Sequence, residues 1–192
     1  MGDHVQQGIV ALASIQDYEN NKIKRHEITM PKKELDRTKL TEIQQANIGP
    51  VFLTFQDNRQ AIKNKIDEVI ATEKPYGDVT CDDGYGDVQH VLWKCPKETS
   101  DYFEKAFEKV SALYVADGHH RTAAAYNVGK AQREAAIKAG KVVTGKEPFN
   151  FFMTLLYPSD NLMILDYNRV LKTLGEHTEE SFLAALEEEF VV

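Results

Sequence analysis

Short apolar runs of strand length, alternating irregularly with amphipathic helical stretches and interrupted by an Asp-Gly hairpin signal, predict an α+β fold with a mixed sheet and flanking helices. A doubly wound parallel sheet would alternate more regularly. The 192 residues suit one domain with part of a second. No fixed-period repeat, low-complexity tract or Pro- or Ser-rich linker separates modules, so the boundary is read from element order. That order gives a core over residues 1–145 and a strand–strand–helix extension over residues 146–192.

Gly8 to Ile15 is a continuous apolar run, which predicts an interior strand covered on both faces. After an irregular stretch, Pro31 opens a helix carrying Leu35, Leu40, Ile43 and Ala46, which ends before Gly49-Pro50. Val51 to Phe55 reads as a strand. The following helix, from about Arg59 to Ala71, places Ile62, Ile66, Val69 and Ile70 on one stripe. Tyr76 to Lys94 is a hairpin around Asp82-Asp83-Gly84-Tyr85-Gly86 that would pair Cys81 with residues near Val88. Glu98 to Val110 forms a helix with Tyr102, Phe103, Ala106, Phe107 and Val110 on its core side. Ala112 to Ala116 is a short strand, and Thr122 to about Gly140 an Ala-rich helix. Strands at Phe149 to Tyr157 and near Leu162 to Asp166, then a helix from about Glu179 to Phe190 burying Phe182, Leu183 and Leu186, complete the pattern.

Lys plus Arg number 23 against 30 Asp plus Glu, a net charge of -7, so the overall field disfavours nucleic acid. No apolar run approaches the roughly 20 residues of a membrane helix. Met1 to His4 leads straight toward the first strand without a signal peptide, and the two cysteines, Cys81 and Cys95, are too far apart on the hairpin to pair. These features point to the cytoplasm. Lys22 to Lys39 holds seven cations (Lys22, Lys24, Arg25, Lys32, Lys33, Arg37, Lys39) against three acids. Such a patch is either a solvated helix face or an anion funnel.

The densest chemistry lies at Asp117-Gly118-His119-His120-Arg121, between a strand and a helix. A helix start leaves backbone N–H groups unpaired at the positive end of its dipole, which favours an anion. Arg121 can hold a phosphate bidentately, Gly118 permits close approach, and His119 and His120 can donate hydrogen bonds or move protons. Asp117 can cap the helix, fix a histidine tautomer or help position Mg²⁺, and Thr122 completes the phosphate-binding set. An ordinary surface turn would also accommodate these residues. The Gly-rich patterns of P-loops and dinucleotide folds are absent, and no third clustered His or Cys completes a zinc set. The second candidate is His26-Glu27, where Glu27 among cations is either a general base near an anionic substrate or a loop carboxylate making surface ion pairs.

Gly8 to Ile15, Ile23 to Glu27, Asn47 to Thr54 and Ala116 to Ala124 together resemble the DUF1015 family along nearly the whole chain. Members of that family are longer, so the resemblance implies a fragment, with a further strand expected to begin at Phe190-Val191-Val192. More distantly, the Asp-Gly-His-x-Arg segment is similar to that of free-serine kinases in the ParB and sulfiredoxin superfamily, which implies a ParB/sulfiredoxin-like core. By that resemblance Asp117, Gly118, His119 and Arg121 bind nucleotide phosphates, and Glu27, after His26, activates a hydroxyl. His120 stands where the kinase motif more often has Thr. The implied activity is phosphoryl transfer from ATP or ADP with Mg²⁺ to a small hydroxylated metabolite, with a homo-oligomer possible. The alternative is a non-catalytic nucleotide-binding module.

Overall fold

The computed structural model describes residues 4–82, 84, 86–166 and 168–190. Two compact units divide the chain, residues 1–162 and 163–192. The first holds a five-stranded mixed sheet, with helices supplying the other half of its core, and a separate two-stranded hairpin.

Strand β1 (Ile9–Ser14) runs directly into a short helix α1 (Ile15–Glu19), started by the Ser14 hydroxyl accepting from Gln16 N–H. Strand β2 (Ile23–Lys24) and the long helix α2 (Pro31–Gln44) follow, with Pro31 in the first turn, where no intrahelical N–H partner is needed. Then come β3 (Val51–Phe55), α3 (Ala61–Thr72), the hairpin β4 (Gly77–Asp82) and β5 (Asp87–Leu92), and α4 (Lys97–Glu108). Strand β6 (Leu113–Asp117), α5 (His119–Lys138) and β7 (Phe151–Pro158) close the unit.

The sheet order is β1-β7-β3-β6-β2. Pairs β1/β7 and β3/β6 are antiparallel, whereas β3/β7 and β2/β6 are parallel. The mixed sheet with flanking helices expected from the irregular alternation is therefore present. Strand β3 alternates buried Val51, Leu53 and Phe55 with partly exposed Phe52 and Thr54. The inward residues meet Ile15, Ile62, Ile66, Phe103 and Ala125 from the helices, and the Phe55 and Phe107 rings meet edge-on with centroids 4.9 Å apart. The β3/β6 ladder carries a register shift between Phe52, opposite Asp117, and Leu53, opposite Val115.

Three expectations need correction. Strand β1 is an edge strand rather than a doubly covered one: Val10 is 56% and Leu12 68% exposed. An apolar run reports strand character but not its place in the sheet. Residues 162–166 form no strand. In the second unit, helix α6 (Glu179–Glu187) is started by a capping box of Thr178 and Ser181, yet it buries no residue and leaves Leu183 47% exposed. The hairpin register does pair Cys81 with Val88. Asp83, Tyr85, Val191 and Val192, on which the turn and the expected terminal strand fall, lie outside the described residues.

Helix α5 is Ala-rich because it is hemmed in. The consecutive residues Thr122, Ala123, Ala124 and Ala125 are all buried, covering more of the circumference than an amphipathic stripe, between α2 and the strands. At Gly129 the approach is closest, since a β-carbon there would lie 2.2 Å from the Phe149 carbonyl oxygen.

Candidate functional site

Asp117 ends β6 and Gly118 makes the connection, at φ 97° and ψ 31°. That left-handed conformation lets α5 begin at His119, three residues before the expected Thr122, so His119, His120 and Arg121 form the first helical turn rather than a loop. No side chain caps this helix. The Thr122 N–H returns to the Gly118 carbonyl at 2.9 Å, and the amides of the three preceding residues stand at the head of the helix.

The three side chains diverge. Arg121 folds back to an ion pair with Asp117, its guanidinium lying beside Gly118 and Gly49, where added β-carbons would lie 3.0 and 3.1 Å from its nitrogens. Together with Arg37, Thr41 and Asn47 it lines a shallow recess. One member of the basic segment, Arg37, thus reaches the same recess as Arg121, while Arg25 turns to Tyr18, whose hydroxyl accepts at 3.0 Å. Thr122 is wholly buried, and its hydroxyl donates to the Gly118 carbonyl at 3.0 Å, closing the first turn.

His119 points the other way, into the structure, with 5% of its surface exposed. Its Nδ1 lies 3.3 Å from Glu27 Oε2, and its Nε2 accepts the His26 N–H at 3.5 Å. The two contacts define the neutral tautomer with the proton on Nδ1. Burial pushes the imidazole below its ordinary range, with Glu27 opposing the shift and His26 adding to it. The ring of His26 meets that of His119 edge-on, with centroids 4.5 Å apart. His120 Nε2 accepts the Met30 N–H at 3.1 Å. The structure therefore brings Glu27, Asp117, Gly118, His119, His120 and Arg121 to one helix head.

His26, Glu27 and His119 each offer a ligand atom within 4.8 Å of the others. Two imidazoles and a carboxylate suit a borderline divalent ion such as Zn²⁺. A cation on His119 Nδ1, however, would drive the ring proton onto Nε2, against the His26 N–H, so the hydrogen bonds favour the metal-free pair with the His119 proton on Nδ1. The oxygen donors that Mg²⁺ prefers are also engaged: Asp117 with Arg121, Glu27 with His119, and Glu34 with Thr29 and Asn127.

A family model described as "Protein of unknown function (DUF1015)" matches residues 1–192. The chain belongs to the DUF1015 family. No curated protein and no solved structure matches it. No helix among the described residues of this DUF1015 chain is long and apolar enough to cross a membrane.

Sequence reasoning missed the polar hub beside this site. Glu34 of α2 accepts from the Thr29 hydroxyl and, at 2.9 Å, from Asn127 Nδ2 of α5. Those two hydrogen bonds, Thr29 first, hold its carboxyl below the ordinary range. The available signal was Asn127, which lies two turns on from His120 in an otherwise Ala-rich helix.

Proposed function

We propose that this DUF1015 chain carries a site for nucleotide-dependent phosphoryl transfer to a small hydroxylated molecule. The observation that carries the reading is the approach of Glu27, from the loop before α2, to His119 at the head of α5. It places a carboxylate beside a ready-made anion site, the combination that the distant likeness to free-serine kinases and a ParB/sulfiredoxin-like core calls for.

The nucleotide, ATP or ADP, would set its phosphates against the amides of the first turn of α5 and the Arg121 guanidinium, and its Mg²⁺ would be held by those phosphates, since the carboxylates here are engaged. Asp117 shares Arg121 with the incoming phosphate and keeps the guanidinium at the helix head. The His119 Nδ1–H holds one oxygen of Glu27, and the other accepts the proton as the substrate hydroxyl oxygen attacks phosphorus. The new O–P bond forms as the bond to the leaving phosphate breaks, and the leaving group departs with the electron pair. Amide dipoles and Arg121 stabilise the spreading negative charge. The cytoplasm, with its nucleotide pool, is the compartment this chemistry fits.

Turnover of ATP and ADP with a panel of hydroxy amino acids tests the reading, comparing the protein with Glu27→Gln. A loss of about 100-fold or more in the variant supports a general base; equal turnover removes Glu27 from the mechanism.

One observation favours a second reading, a non-catalytic nucleotide-binding module. His120, where the kinase motif more often has Thr, is engaged by the Met30 amide. This reading predicts thermal stabilisation by nucleotide without turnover, and it fails if no nucleotide or phosphate raises the Tm.

A further inference from the structure

We propose that His119 and His120 are positioning residues that fasten the 25–30 loop, and with it Glu27, across the head of α5. The loop leaves β2 at Lys24 and enters α2 at Pro31. Its two ends are held separately: the His26 N–H donates to His119 Nε2 at 3.5 Å and the Met30 N–H to His120 Nε2 at 3.1 Å. Adjacent helical residues point about 100° apart, so a tandem pair grips both ends of a short loop where a single histidine would grip one.

Nothing apolar does this work. Ile28 at the loop's apex is 99% exposed and Met30 56% exposed. The further ties are polar, from the Thr29 hydroxyl to Glu34 and from Glu34 to Asn127, and they run to the same helix through α2. A loop without a buried side chain anchor depends on its main-chain hydrogen bonds for its position, and here two of their acceptors are ring nitrogens of α5. The tandem histidines thus act through Glu27: they set where its carboxylate stands. This deepens the phosphoryl-transfer reading only in the purpose it gives the strap, because the fastening itself is measurable without any turnover.

Residue-resolved amide exchange by NMR on the full chain tests it, in the unsubstituted protein, His120→Ala and His120→Gln. In the unsubstituted protein the Met30 amide is expected to exchange at least about threefold more slowly than that of Ile28, relative to unstructured peptide rates. Removing the acceptor in His120→Ala raises Met30 exchange about three- to tenfold, and His120→Gln, which places an amide oxygen near the former Nε2, restores it to within about twofold. Amides of β7 stay unchanged, which separates loop release from general loosening. Exchange of Met30 as fast as Ile28 in the unsubstituted protein overturns the proposal, and so does unchanged Met30 exchange in folded His120→Ala. If His120→Ala does not fold, the comparison of Met30 with Ile28 decides alone. Full protection of Met30 with no phosphoryl transfer sinks the enzymatic reading and leaves the strap standing.

Discussion

Glu27 Oε2 and His119 Nδ1 lie 3.3 Å apart, joining a solvent-exposed carboxylate to an imidazole that is almost wholly buried. The pair fixes the tautomer of the ring, while burial sets the sign of its response to acid.

Because burial holds the folded His119 below its ordinary value of 6.5, the unfolded chain takes up the proton first. Between pH 6.5 and the lower folded value the unfolded state binds more protons, so stability falls as pH drops through that window. Urea midpoints measured from about pH 7.5 down to about pH 5.5 should decline, and His119→Gln should flatten that decline. A midpoint that rises on acidification would contradict the assignment.

Glu34 acts in the same direction at lower pH. Hydrogen bonds from Thr29 and Asn127 keep its folded carboxyl below 4.5, so its contribution is complete above that value and is lost as pH falls through the folded one. At neutral pH, Glu34→Ala should cost about 1 kcal/mol, since solvent screens a half-exposed site. Denaturation of the variant at about pH 7 and about pH 3 should show the difference shrinking in acid.

Gly118→Ala tests the backbone beneath the helix head. The substitution imposes a side chain at φ 97° and places a β-carbon 3.0 Å from Arg121 Nε. Strain of about 1–3 kcal/mol is expected by urea denaturation, with Arg121 displaced from the recess. Phosphate or nucleotide stabilisation measured as a Tm shift should shrink along with it.

Asp57 offers a test away from the site. Its carboxylate accepts from the amides of Ala61, Ile62 and Lys63 at 3.1, 2.9 and 2.9 Å, capping α3 from outside the helix, while Gln60 at the N-cap position makes no such bond. Asp57→Ala should therefore cost about 1–2 kcal/mol in chemical denaturation. Gln60→Ala should cost less.

What sequence made legible follows from what periodicity encodes. The α3 stripe of Ile62, Ile66 and Val69 was readable because one helix face meets the core and the other meets water. Strand β1 was readable as a strand but not as an edge, since Val10 and Leu12 carry no mark of their missing neighbour. The start of α5 was placed late because Gly118, a turn residue by habit, here serves as the N-cap. Within the site, the cluster of Asp117 to Arg121 stood out by density, and Glu27 as a carboxylate among cations, with the family likeness linking the two. That His119 turns inward while Arg121 turns back to Asp117 depends on angular separation around a helix whose first residue sequence alone misplaced.

The slipped ladder between β3 and β6 has a bearing on how this chain tolerates change. Ala116 is the extra residue there, between Val115, opposite Leu53, and Asp117, opposite Phe52. Cross-strand partners share a face and side chains alternate with a period of two, so an unbroken ladder would set Ala116 opposite Phe52 and Asp117 opposite the buried Val51, whereas the slip keeps Asp117 on the face of the partly exposed Phe52. An irregularity of one residue thus decides which face of the sheet a carboxylate takes, and with it whether Arg121, one helical turn further on, has a partner.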